Sequence, residues 1–313
     1  MHYILKSLGL KNNKFMLSLL DPDLAGINPF DPHLNMVMKG KILREVMNNY
    51  WYFLREVVRV PAPGMPTGAP YQLHRGNLAM NYCMMYNFNV FMELPRQQGK
   101  TISACCRYLW IYNFGTTDSE ITFLNKKMDD SKLNLQRIKD IRDLLPSYLR
   151  MDQQFSTFGN RKLKAPSSVE TMKNPSNSNI IKTAPSARTK ILAANLLRGR
   201  TLPLWWGDEW AFIPFNETIY LNTIPAYKTA ALNAKKMGKP YGILFTTTPG
   251  ILTTEEGMSA NRMRLLATPF NERWYDMSYQ QIMSILNANE MSNFVYIRYT
   301  YQQIGRDEKW FTD

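Results

Sequence analysis

The sequence is poor in the residues that build metal and redox sites. Its 313 residues include three cysteines, Cys83, Cys105 and Cys106, and three histidines, which lie far apart in the chain. The cysteines lack metal-ligand spacing and their number is odd, so neither a zinc site nor a disulfide framework is indicated. We expect buried thiols in a reducing cytosol, and no catalytic triad built on histidine.

Long hydrophobic runs are also missing. No stretch approaches the roughly 18 uninterrupted apolar residues of a membrane span, so we expect no membrane partner. Apolar residues make up 45% of the chain and charged residues 20%, which is typical of a soluble globular protein. The length allows one large domain, or a core domain with smaller additions.

Acidic residues are scarce relative to basic ones. The 25 Asp and Glu residues face 38 Lys and Arg residues, which gives a formal net charge of +13. Such an excess indicates an anionic partner, with nucleic acid first among the possibilities. The basic residues are spread along the chain, so charge alone leaves nucleic-acid binding and general solubility both open.

The first part of the chain favours helices. Residues 1–60 have apolar and charged positions at roughly helical spacing. Four prolines and two glycines in Pro61–Pro70 then predict a loop or linker. A helix is expected to follow from Tyr71 to about Asn87.

Four short apolar runs predict strands that alternate with helices. They are "FNVFMEL", "EITFLN", "LPLWWGDEWAF" and "YGILFTTTPG". This alternation is typical of a parallel α/β sheet, and ligands bind such sheets at the carboxyl ends of the strands.

A helix is predicted over "MDDSKLNLQRIKDIRDLLPSYL", with Asp129, Asp130 or Ser131 as its expected cap. "VETMKNPSNSNIIKTAP" predicts a hairpin. After Gly250 we expect the strands to stop and a mostly helical, lid-like appendage to follow.

The stretch "VFMELPRQQGKT" ends in Gly99-Lys100-Thr101, like a phosphate-binding loop, and an apolar helix follows it. The general motif has a glycine five positions before Gly99, where this chain has Leu94. In a phosphate site Lys100 would reach the β- and γ-phosphates, and Thr101 would offer its hydroxyl to Mg²⁺. The backbone amides of Gln97, Gln98, Gly99, Lys100 and Thr101 would cradle phosphate oxygens. Alone, the tripeptide could also occur by chance.

Polar residues end two further apolar strands. Asp208 and Glu209 follow "LPLWWG", so Asp208 could bind Mg²⁺ and Glu209 could polarise the water that attacks the γ-phosphate. They could equally be two solvated acids. The threonines of "ILFTTTPG" could contact the γ-phosphate or that water, although threonine is common in strands for its β-propensity alone. These threonines are Thr246, Thr247 and Thr248.

In this order and spacing, "LPRQQGKT", "LLRGRTLPLWWGDEWAFIP" and "LFTTTPG" resemble the ATPase domain of a large terminase subunit. That family contains the motors that package DNA into tailed-phage and herpesvirus capsids. The resemblance covers roughly Tyr71 to Gly250 and is closest to the myovirus type, whose phosphate loop also lacks the first glycine. It implies a RecA-like P-loop fold with three parts. These are an N-terminal helical extension and linker (1–70), an ATPase core (71–250) and a lid or linker subdomain (251–313).

The resemblance also implies roles for individual residues. Tyr71 and Gln72 lie where the family recognises adenine, and Arg96 matches the arginine of its phosphate loop. Arg198, ten residues before Asp208, matches an arginine thought to act on the neighbouring subunit's nucleotide, with Arg200 as a competing candidate. Thr246 to Thr248 match the motif that couples hydrolysis to movement.

As a family member, the chain is expected to use ATP and Mg²⁺ and to act on double-stranded DNA. Its expected partners are the portal protein of the procapsid, the small terminase subunit and its own copies in a pentameric ring. It would work in the host cytoplasm, docked transiently on the procapsid. The polar stretch Phe158–Thr189 and the basic lid are candidate DNA contacts.

Large terminases also carry a C-terminal nuclease domain. No spaced acidic cluster follows residue 250, so we expect the chain to stop before that domain and not to cut DNA. Two other functions stay open on the residues alone. One is a RecA-like helicase or translocase, and the other is a basic nucleic-acid-binding protein with a vestigial ATP site.

Overall fold

The computed structural model of the chain describes residues 1–153, 167–307 and 309. Its strands are β1 (Arg59–Ala62), β2 (Met65–Pro70), β3 (Asn89–Glu93), β4 (Glu120–Leu124), β5 (Thr171–Lys173), β6 (Ile180–Ala184), β7 (Leu204–Asp208), β8 (Gly242–Thr247), β9 (Thr268–Pro269) and β10 (Phe294–Arg298). Its α-helices are α1 (His2–Ser7), α2 (Met36–Asn48), α3 (Tyr50–Tyr52), α4 (Arg75–Met85), α5 (Lys100–Trp110), α6 (Met128–Asp143), α7 (Lys190–Asn195), α8 (Asn216–Lys236), α9 (Glu255–Leu266) and α10 (Tyr279–Asn287). Five-residue π-helical turns extend α3 to Val57 and α5 to Gly115.

A mostly parallel sheet forms the centre of the molecule. Within the described residues it has eight strands in the order β5-β6-β4-β7-β8-β3-β10-β9. Every neighbouring pair is parallel except β5 and β6, which are antiparallel. The predicted α/β fold with a mostly parallel sheet is therefore confirmed. The carboxyl ends of β3, β7 and β8 lie side by side at one edge.

Helices cover both faces of this sheet, which is why its central strands are buried and mostly apolar. All residues of β7 and β8 are buried, as expected for parallel strands covered on two sides. Trp206 stacks against Tyr108 of α5 in the core on one face. Its neighbour Trp205 points to the other face and packs edge-on against Trp210 and Phe245. The alternation of side chains along β7 thus supplies both cores.

The expectation that strands stop at Gly250 is wrong. β10 pairs in parallel with β3, and β9 pairs with β10 at the sheet edge. Phe294, Val295 and Ile297 are buried, so β10 covers apolar surface that β3 would otherwise expose. The apolar run that forms β10 is short and follows a long stretch with a helical pattern, so the sequence did not indicate a strand there. The division of the chain at residue 250 stays a prediction, although the sheet continues across it.

The proline-rich stretch Pro61–Pro70 is not a linker. β1 and β2 pair there as an antiparallel hairpin that turns at Gly64. A two-stranded hairpin has edges on both sides, where proline costs no ladder hydrogen bond. Gly68 has a φ of 70°, and a Cβ built there would lie 2.7 Å from Leu144 Cδ1. Glycine therefore lets the hairpin sit close to the end of α6.

Helix ends depart from the sequence pattern in two places. The helix expected from Tyr71 begins at Arg75, with His74 as its cap. α6 begins at Met128 after Lys127, which makes no capping bond with its side chain, so the expected cap at residues 129–131 is wrong. Asp129 and Asp130 lie instead in the first turn, where negative charge favours the helix dipole.

The hairpin predicted for "VETMKNPSNSNIIKTAP" is confirmed as β5 and β6. The stretch Phe158–Thr189 begins outside the described residues, which resume at Ser167. Among the described helices, none combines the length and apolar character that crossing a bilayer requires.

A partly buried ion pair connects the region after Gly250 to the core. Arg75 of α4 donates from Nε and Nη2 to the two carboxylate oxygens of Glu272 at 2.8 and 2.7 Å. Tyr299 donates to the same carboxylate at 3.1 Å. The two paired side chains are only 18% and 17% exposed, so each depends on the other for compensation of its charge.

We expect Arg75→Ala to lower the stability of the whole domain by about 2 kcal/mol, because it leaves a partly buried carboxylate without its bidentate partner. Thermal unfolding followed by circular dichroism would measure the loss. Arg273→Ala removes a neighbouring exposed arginine and should leave the melting temperature unchanged. Equal melting temperatures for the two variants would contradict a structural role for this pair.

Candidate active site

The loop between β3 and α5 turns without a glycine at its start. Leu94 is buried, donates its backbone N–H to the Thr247 carbonyl at 3.2 Å, and has a negative φ. Its side chain packs against Gly76, where an added Cβ would lie 3.1 Å from Leu94 Cδ1. The left-handed conformations fall later, at Gln97 (φ 59°) and Gly99 (φ 68°). The position usually held by the first glycine therefore needs no glycine here.

The side chain of His74 supports this loop by a hydrogen bond to its backbone, a role that the sequence reasoning missed. Its Nε2 donates to the Gln98 carbonyl at 2.7 Å, and its Nδ1 accepts from the Asn77 N–H at 3.3 Å. A ring that donates from one nitrogen and accepts at the other is neutral. Burial lowers the pKa of His74, which favours that neutral form.

Asp208 is the buried centre of the site. It ends β7, is 5% exposed, and accepts hydrogen bonds from three elements. Thr246 Oγ1 of β8 donates to its Oδ1 at 2.7 Å, while Thr101 Oγ1 of α5 donates to its Oδ2 at 3.1 Å. Asn134 Nδ2 of α6 donates to Oδ2 at 2.9 Å. Burial raises the pKa of Asp208, and the bonds from Thr246 and Asn134 oppose that rise.

Glu209 lies at the mouth of the same site. Its φ of 55° is left-handed, a conformation that costs free energy in a non-glycine residue and is often found at functional positions. Its Oε1 is 3.7 Å from Lys100 Nζ. The backbone N–H and hydroxyl of Thr248 lie 3.4 and 3.3 Å from its Oε2. The carboxylate is thus held between the first residue of α5 and the residue that follows β8.

The three threonines have separate contacts. Thr246 accepts a hydrogen bond from Trp206 Nε1 at 3.0 Å, and its own hydroxyl donates to Asp208. Thr247 accepts from the Ala211 N–H at 3.2 Å, and Thr248 contacts Glu209. The strand end therefore touches both acids and the turn that follows them.

The two acids face a cleft of about 820 Å³, and the predicted contacts Thr246, Thr247 and Thr248 are not among the described residues that line it. All eight residues predicted for the phosphate loop and the acidic pair line it: Arg96, Gln97, Gln98, Gly99, Lys100, Thr101, Asp208 and Glu209. The cleft is also lined by five residues that the sequence reasoning did not assign to the site: Asn125, Lys126, Asp130, Asn134 and Arg137. They follow β4, the neighbour of β7, so the rule that ligands bind at the carboxyl ends of strands could have pointed to them.

Other predicted residues lie outside the cleft. The Tyr71 hydroxyl bonds to Ser103 Oγ, on α5, and lines a separate apolar cavity beside the N-terminal segment. Gln72 is exposed next to it. Arg198 is exposed and bonds to Asn195, whereas Arg200 lies 3.9 Å from Glu120 Oε1. The roles proposed for these four residues stay predictions.

Comparison with known proteins gives a match in structure alone. No family model matches the chain, and no curated protein matches it. A mutant of the ATPase domain of the Thermus phage P74-26 large terminase aligns over 84% of this chain and 90% of its own, with a TM-score of 0.50 and 15% identity. This chain has the fold of a large terminase ATPase domain. The HK97 bacteriophage large terminase gives a TM-score of 0.48 at 13% identity, over 82% of this chain and 43% of its own.

The terminase ATPase fold gives the cleft its place at the carboxyl edge of the parallel sheet. At 15% identity the likeness concerns the fold, so the roles of individual residues rest on the contacts described above. Those contacts place a lysine, a threonine and two acids around one cleft, with a helix of 11 residues beginning at its wall.

The neutral state of His74 makes the stability of the loop depend on pH. Because its pKa is lowered in the folded protein, the unfolded chain binds the proton first as pH falls below about 6.5. Stability should therefore fall with pH in that range, by up to about 1.4 kcal/mol per pH unit. Comparing the unfolding free energy between pH 5 and 7 for the wild type and His74→Gln should show a shallower slope in the variant. A His74→Gln slope equal to that of the wild type would refute the assignment.

Proposed function

We propose that this chain is the ATPase motor domain of a viral large terminase, which hydrolyses ATP to move double-stranded DNA into a procapsid. The observation that carries the proposal is the single cleft that Lys100, Thr101, Asp208 and Glu209 line together. The terminase ATPase fold supports the same activity.

Nucleotide phosphates would bind at the start of α5. The first backbone N–H groups of a helix have no partner within the helix and carry partial positive charge. Gly99 turns the chain so that α5 begins at the cleft, and Lys100 and Arg96 add two cationic side chains. Anion binding at such a helix start is a common property of proteins.

The oxygen donors beside Lys100 suit Mg²⁺. The Asp208 carboxylate and the Thr101 hydroxyl are 3.1 Å apart and line the cleft, and Mg²⁺ prefers hard oxygen ligands. No group of three or more His, Cys, Asp or Glu side chains with metal-site geometry occurs in the described part of the chain. That fits an ion held by few protein ligands together with substrate phosphates. When bound, the ion would neutralise charge on the phosphate oxygens.

Glu209 is the proposed general base. Its side chain is 38% exposed, so water can reach it, while Lys100 and Thr248 fix its position. From there it would orient the attacking water and take its proton. Arg96, exposed at the rim of the same cleft, would stabilise charge on the γ-phosphate.

The threonines provide a route from hydrolysis to movement. Thr248 contacts the proposed base, and Thr247 holds the turn that follows it through Ala211. Asn216, the first residue of α8, donates to the carbonyls of Trp210 and Glu256. A change at the γ-phosphate would therefore reach α9.

An arginine from a neighbouring subunit would complete the site. Arg198 is the better candidate because it is exposed and its side chain bonds to nearby Asn195, while Arg200 lies close to Glu120. Hydrolysis would then depend on assembly, which the resemblance implies is a pentameric ring. The chain would bind the portal protein and the small terminase subunit. It would dock transiently on the procapsid in the host cytoplasm.

Lys100→Ala and Glu209→Gln should separate binding from chemistry. Lys100→Ala removes the cation at the phosphates and should weaken ATP binding at least about 10-fold. Glu209→Gln keeps the shape of the side chain but not the base, so ATP should bind while turnover falls by about 100-fold or more. Equilibrium binding and steady-state turnover measure the two effects. Near-normal turnover of Glu209→Gln would show that another group is the base.

A motor should respond to duplex DNA. We expect ATP turnover of the wild-type chain to rise with added double-stranded DNA, without strand separation, and to rise with protein concentration if an arginine acts between subunits. Contacts to the DNA phosphates dominate such binding, so the stimulation of ATP turnover by DNA should weaken as the salt concentration rises. Strand separation would instead indicate a helicase, and no turnover even at high protein concentration would leave only a nucleic-acid-binding module.

A further inference from the structure

α6 brings a cation to the cleft that the proposed mechanism does not use. Arg137 is exposed, lines the cleft, and makes no ion pair with any acid in the described ranges. Its Nη1 donates to Asn134 Oδ1 at 2.5 Å, one turn earlier on the helix. A guanidinium has five N–H donors, so donors remain for a second acceptor. Lys100 and Lys126 line the same cleft, so an arginine with donors to spare favours an anionic ligand there.

Asn134 joins this arginine to Asp208. It is 1% exposed, and its Nδ2 donates to Asp208 Oδ2 at 2.9 Å. Only one orientation of the amide satisfies both neighbours. If the amide were reversed, its oxygen would face the carboxylate and its NH₂ group would face the guanidinium, and both contacts would be repulsive. The charge on Arg137 therefore fixes the side of Asn134 that meets Asp208.

We propose that Arg137 binds the nucleotide phosphates within its own subunit and, through Asn134, positions the Asp208 carboxylate. This inference rests on the proposed nucleotide site. Arg137 would act as a binding residue and Asn134 as a positioning residue. Asp208 would keep a fixed orientation because the donor from Asn134 is set by a cation that itself contacts the ligand.

The two residues should have different effects on nucleotide binding. Arg137→Ala removes a charge-assisted contact, so affinity for a fluorescent ATP analogue should fall about 10-fold even without Mg²⁺. Asn134→Ala removes no charge, so affinity without Mg²⁺ should stay within about twofold of the wild type. Both variants should need several times more Mg²⁺ for half-maximal enhancement of binding, because Asp208 loses its fixed orientation in each.

Matched variants keep the test specific. Lys139→Ala removes the same charge from α6 but at a side chain that bonds to the Ser168 carbonyl, outside the cleft. It should bind the analogue like the wild type. The double variant Arg137→Ala with Asn134→Ala should need no more Mg²⁺ than either single variant, because the two residues act through one contact chain. Melting temperatures of all variants would show that each is folded.

Each outcome decides between the proposals. If Lys100→Ala loses the analogue while Arg137→Ala binds it like Lys139→Ala, the nucleotide site stands and the role of Arg137 is overturned. Additive Mg²⁺ requirements in the double variant would overturn the coupling through Asn134. If the wild-type chain binds no analogue at all, the proposed function fails and this inference fails with it.

Discussion

The structure depends on the burial of one carboxylate, Asp208, in the middle of the sheet edge. An ionised carboxylate that leaves water loses several kcal/mol unless donors replace its hydration. Here the donors are Thr101, Asn134 and Thr246, and each comes from a different element. The carboxylate can be satisfied only when α5, α6 and β8 lie in their present positions around β7. The same requirement brings together the groups that would handle a nucleotide.

The two cores of the sheet support this arrangement. Trp206 fills the core on one face and also donates to Thr246, the residue that donates to Asp208. On the other face, Trp210 stacks on Phe245 with ring centroids 3.7 Å apart. Packing therefore fixes β8 relative to the turn after Glu209. A rigid sheet edge of this kind can hold reacting groups in place without reorganisation.

Much of the fold and part of the site could be predicted from the sequence, because their signals are local. The apolar runs that end in Lys100-Thr101, Asp208-Glu209 and the three threonines mark strands and their polar ends within a few residues each. A parallel sheet then brings those ends together. The contacts of Leu94 also explain why the loop lacks its first glycine.

The features that the sequence did not predict depend on contacts distant in the chain. β10 is a strand because the edge of β3 accepts it, and β1 and β2 form a hairpin because Gly68 permits close packing against α6. His74 acquires its role from a loop 24 residues away. Asn134 and Arg137 look like ordinary polar positions of an amphipathic helix, and only the fold places them at Asp208.

The most direct test of this account is an experimental structure of the chain with a non-hydrolysable ATP analogue and Mn²⁺, which anomalous scattering can locate. The account predicts the phosphates at the start of α5 beside Lys100, with the metal ion between Thr101 and Asp208. Phosphates bound elsewhere, or a metal ion away from Asp208, would contradict it.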